Sequence, residues 1–69
     1  MPLTFASVGE AAQIKKISGK DDTRRFLENL GFVVGGQVTV VSKNSGNLIV
    51  HVKESRIAIS QSMANRIMV

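Results

Sequence analysis

Residues 37–53 read Gln37-Val38-Thr39-Val40-Val41-Ser42-Lys43, then Asn44-Ser45-Gly46-Asn47, then Leu48-Ile49-Val50-His51-Val52-Lys53. The first run is β-branched and partly alternating, and the middle run is turn-forming by composition. In the last run Leu48, Val50 and Val52 alternate strictly with Ile49, His51 and Lys53, which completes a strand, turn and strand. This is a β-hairpin. Successive strand side chains point to opposite faces, so Val38, Val40, Leu48, Val50 and Val52 are expected to share one buried face. His51, the single histidine, then falls on the outer side with Ile49 and Lys53.

Toward the C-terminus, Glu54-Ser55 turns the chain, and Ile57 and Ile59 alternate with Arg56, Ala58 and Ser60 in a further short strand. Gln61 to Ala64 fits one helical turn, and Ile67 and Val69 belong to a last strand. Toward the N-terminus, Gly35-Gly36 is a turn, and before it lies the one clear helical pattern, with Thr23, Phe26, Leu27 and Leu30 at the i, i+3, i+4, i+7 spacing. Asp21 or Asp22 is expected to cap that helix, and both acids suit the positive end of its dipole. Gly31 fits the left-handed residue that ends it. Phe32 then folds back on Leu27 as the hydrophobic contact of a Schellman motif, giving a buried stripe of Phe26, Leu27, Leu30 and Phe32. Upstream, Gln13-Ile14-Lys15-Lys16-Ile17 reads as a strand whose two lysines interrupt the alternation, with a bulge or strand end near Lys16.

Short strands, tight turns and a single helix cannot cover both faces of a parallel sheet. They predict a mostly β protein, a small five-stranded SH3-like barrel with one α-helix inserted after the first strand. The last strand can return beside the first.

The chain has 69 residues, 43% hydrophobic and 20% charged, with a net charge of +4 and no cysteine. Such a length predicts a single domain, residues 1–69, with an accessible surface of ~4,000 Å² from the size scaling. Zero cysteines exclude disulfides, thiolate metal sites and thiol nucleophiles, and suit the cytoplasm. No apolar run approaches the ~20 residues of a membrane span, and Met1-Pro2-Leu3-Thr4 does not resemble a secretory signal.

Chemistry is sparse. Direct ligation of a divalent transition metal would require several imidazoles or carboxylates converging on one point, and His51 has only Glu54 nearby in sequence. Gly35-Gly36 lacks the lysine and hydroxyl spacing of a phosphate loop, and the loop serines have no histidine and acid arranged as a triad. No catalytic, metal or cofactor-binding residue is therefore expected. Lys15, Lys16, Lys20, Arg24 and Arg25 form a basic concentration that admits a second reading, a small basic β-barrel binding nucleic acid. Single-strand binders add aromatic stacking to charge, and here only Phe5, Phe26 and Phe32 are aromatic. Without Trp or Tyr, the aromatic groove that SH3 domains use for polyproline ligands cannot be built.

The chain resembles the FeoA family nearly end to end. The resemblance rests on Pro2-Leu3 and Gly9, on Ile14 with Ile17-Ser18-Gly19, on Arg25-Phe26-Leu27 with Leu30-Gly31-Phe32 and Gly35, and on Ile57-Ala58-Ile59 with Ala64, Ile67 and Val69. Two departures from the family pattern stand out, Val34 in place of the usual proline and Ile59-Ser60 in place of the usual Leu-Arg. The same module resembles the C-terminal domain of iron-dependent repressors, which admits a further alternative, a stand-alone SH3-like domain related to that one. The resemblance implies a cytoplasmic, non-enzymatic accessory protein of bacterial ferrous iron uptake that acts on the nucleotide-binding transporter FeoB. For its contact surface the expected residues are Lys15, Lys16, Arg24, Arg25, Val33 and Val34, with cations steering an acidic partner and valines supplying apolar contact.

Overall fold

The hairpin forms as the alternation requires. In the computed structural model, which describes residues 1–69, strands β3 (Gln37–Asn44) and β4 (Asn47–Val52) pair antiparallel, with Val38 opposite Val52 and Val40 opposite Val50. Val38, Val40, Leu48, Val50 and Val52 are all buried, and His51 is exposed. The register slips between Val40 and Ser42, so the strict alternation of β3 ends at its middle. Strand β5 (Ser55–Ser60) adds to β4 and β1 (Ala11–Gln13) adds to β3, giving a sheet of order β1-β3-β4-β5. A second sheet pairs β2 (Lys16–Ile17) with β6 (Ile67–Met68), the return of the last strand beside the first arm.

The segment read as one strand over residues 13–17 is bent into β1 and β2, and the bend falls at Ile14 and Lys15 rather than at Lys16. The cause lies in where its backbone groups find partners. The Ile14 N–H donates to the Gly36 carbonyl at 2.8 Å and its carbonyl accepts from the Gly35 N–H at 2.8 Å, whereas the next N–H, of Lys15, donates to the Met68 carbonyl at 2.8 Å. The chain therefore changes sheets across a single peptide, with Ile14 buried in the corner. Counted as one bent strand, the barrel has five strands; counted by hydrogen bonding, it has six.

Between β5 and β6 the gap is bridged by the short helix α2 (Gln61–Ala64), started by Ser60, whose Oγ accepts the Met63 N–H at 3.2 Å. Ser60 thus has a structural use as the cap of α2. A 3-10 turn over Leu3–Phe5, absent from the sequence reading, seats Leu3 in the core and leaves Phe5 exposed. The interior is one cluster of 14 buried apolar residues with no buried polar side chain.

Helix α1 (Asp21–Leu30) follows β2 and departs from expectation at two points. Its N-cap is Lys20 with no side-chain cap bond, so Asp21 and Asp22 do not cap; they occupy the first turn, where the dipole still favours them. Phe26 is 50% exposed, against its expected place in the buried stripe, while Leu27 is fully buried and Leu30 partly so. The helix rests on the barrel along a narrow line through Leu27. Phe26, one residue and about 100° earlier around the axis, turns away from it. The end of α1 matches the expected Schellman geometry: Phe32 N–H donates to the Leu27 carbonyl and Gly31 N–H to the Glu28 carbonyl, each at 3.0 Å, with Gly31 at φ +111° and Phe32 buried.

Candidate functional site

The Schellman turn decides where the site lies. By folding Phe32 inward it throws the next residues outward, so Val33 and Val34 leave the end of α1 as a projecting loop closed by Gly35 at φ +90°. Val34 is 65% exposed, and a side chain this apolar at a loop crest has no packing role in the barrel. On one side of the loop lies a groove of ≈ 410 Å³ walled by Lys15, Lys16 and Ile17, by Arg24 and Glu28 of α1, and by Val33 and Val34. The bend at Ile14 and Lys15 supplies the first wall, since it turns β2 toward the helix.

Among the residues expected from sequence, all except Arg25 meet in this groove. Arg25 lies over the solvent side of α1 in a shallow, wholly charged depression of ≈ 160 Å³ with Asp21, Arg24 and Glu28. Arg24 has one ionic neighbour, Asp21 at 3.7 Å, and at 51% side-chain exposure such an i,i+3 pair constrains it little. Two groove residues, Ile17 and Glu28, escaped the sequence reading. Glu28 had a signal, since it stands one helical turn after Arg24; Ile17 carries none beyond its place in β2.

A second groove, of ≈ 490 Å³, opens across the same loop and is lined by Gly31, Val33 and Gly36 together with Gln37, Thr39, His51 and Lys53. His51 is exposed there, and no three histidine or carboxylate side chains converge anywhere on the molecule. No helix is long and apolar enough to cross a membrane. What the arrangement offers is open, cationic relief around an apolar crest, suited to contact with another macromolecule.

A small barrel whose exposed features are a basic groove and a projecting loop has the form of an interaction domain. The comparisons with known proteins give it a family. The model of the FeoA domain matches residues 1–69. An Fe(2+) transport protein A of Methanocaldococcus jannaschii is 35% identical over 68 residues, covering 99% of this chain and 83% of that one. The crystal structure of a Stenotrophomonas maltophilia FeoA, complexed with zinc and described as an SH3 domain protein, superposes with a TM-score of 0.85 at 30% identity, covering 99% of this chain and 87% of that one. A manganese-dependent transcriptional repressor shares the fold at a TM-score of 0.87 and 16% identity, over 97% of this chain and 39% of its own length. The chain belongs to the FeoA family, whose members are small non-enzymatic accessory proteins of ferrous iron transport.

Proposed function

We propose that this protein acts in the cytoplasm by docking on the nucleotide-binding part of the ferrous iron transporter FeoB, through the groove between β2 and α1 and the Val33-Val34 loop. The observation that carries this reading is the conjunction of three cations, Lys15, Lys16 and Arg24, with an exposed apolar crest at Val34 in a single relief. Cations guide encounter with an acidic surface and set its salt dependence, while an apolar side chain entering a partner pocket supplies the desolvated centre that holds an interface together. To regulate transport, the protein must bind one nucleotide state of its partner more tightly than the other, because equal affinity shifts no equilibrium.

Isothermal titration of the full chain against the soluble nucleotide-binding domain of FeoB, with GTP analogue or GDP bound, tests the proposal. Binding that differs between the two states, and that falls at least tenfold in Arg24→Ala and in Val34→Ala with the fold unchanged by circular dichroism, is the expected result. Equal affinity of the variants and the parent removes this surface as the docking site. Tight, steeply salt-dependent binding of labelled RNA at physiological salt instead assigns the cations to nucleic acid.

A further inference from the structure

Resting on that docking reading, we infer that the partner straddles the Val33–Gly36 loop and places acidic side chains in both flanking grooves, not in the β2–α1 groove alone. Val33 lines both cavities, so the loop is a thin wall shared by two grooves. The second groove lies on the outer face of the four-stranded sheet, where Thr39 stands opposite His51 and His51 opposite Arg56. Lys53 closes its end. Its stem rests over Gly31, whose added Cβ would meet Lys53 Cδ at 3.6 Å, beside the end of α1, the negative pole of the helix, where a cation is favoured.

Charge is therefore distributed on both flanks of one apolar crest. Lys15, Lys16 and Arg24 stand on the first side, Lys53 on the second with Arg56 behind His51. The nearby carboxylates are Glu28, within the first groove, Asp21, 3.7 Å from Arg24, and Glu54, next to Lys53 in the β4–β5 turn. A partner filling only the first groove leaves Lys53 and the polar row beside it in water, outside the contact. The surface that complements the whole is acidic, with an apolar pocket for Val34 and carboxylates on either side of it. Neither Gln37 nor Lys53 belongs to the contact set read from sequence.

The experiment is a titration of full-length variants against the soluble nucleotide-binding domain of FeoB at low and physiological salt. Gln37→Glu adds a charge to the second groove without altering shape, Lys53→Glu reverses one, and Ser45→Glu adds a charge at the other end of β3 as a control. At low salt the first two are expected to bind at least fivefold more weakly and Ser45→Glu to match the parent. If Gln37→Glu and Lys53→Glu bind like the parent while Arg24→Ala is weakened, the straddling mode is overturned and docking through the first groove stands. Failure of the parent itself to bind overturns both. Displacement of the bound domain by an RNA oligonucleotide at physiological salt overturns the acidic-protein occupant.

Discussion

The β3–β4 hairpin and helix α1 are both amphipathic elements, and the molecule uses them in opposite ways. Every inward position of the hairpin, from Val38 to Val52, is buried within the 14-residue core. Along α1, of the apolar residues Phe26, Leu27 and Leu30, only Leu27 is fully buried. A strand's two faces are separated by 180°, so one face is wholly in when the other is out. A helix has no such boundary, and the width of its buried arc is set by the neighbour it meets. Here the neighbour is a small curved barrel that touches it along a line. The hairpin consequently holds the fold together, and the helix with its following loop is left free to present side chains.

The same contrast, core against free helix face, recurs in two phenylalanines, one on α1 and one just past its end, and substitutions separate them. The largest effect is expected at Phe32, fully buried behind the Schellman turn: Phe32→Ala should lower stability by about 3–5 kcal/mol in urea denaturation, a large fraction of what so small a domain has. Next comes Gly31→Ala. An added Cβ meets nothing closer than 3.6 Å, so the cost is that of a left-handed backbone at φ +111°, about 1–2 kcal/mol, read as a lower thermal midpoint. Removing the α2 cap with Ser60→Ala should cost about 1 kcal/mol, measured the same way. Smallest of all, Phe26→Ala should change stability by no more than about 1 kcal/mol because half of its surface is already in water. A Phe26→Ala loss as large as that of Phe32→Ala would break the comparison, since the outer side of α1 would then be packed as tightly as the core.

Much of the fold was legible in particular residues. The alternation of Leu48, Val50 and Val52 dictates the hairpin face, and Leu30-Gly31-Phe32 dictates the helix end, because both rest on local geometry that a few adjacent residues complete. The bend at Ile14 and Lys15 was not legible at its true position, since it is made by bonds to Gly35, Gly36 and Met68, which are far away in sequence. Asp21 and Asp22 have the chemistry of caps, yet the N-cap falls one residue earlier, at Lys20. In the candidate site, basic residues and the two loop valines could be selected by type, but their grouping depends on that same bend. Arg24 and Arg25 are equivalent in sequence; the rotation of α1 about Leu27 puts one in the groove and the other over solvent.

By itself the order of residues settled the strand faces, the left-handed glycine that stops the helix and the membership of the chain in its family, since each of these is written in neighbours or in a matching pattern. Tertiary packing alone decided how deeply α1 sits, which of its arginines joins Lys15 and Lys16, and that the Val33–Gly36 loop stands between two grooves. The physical reason is that these depend on where curved surfaces touch, and contact between segments many residues apart is set by the assembled barrel and not by any local stretch of chain.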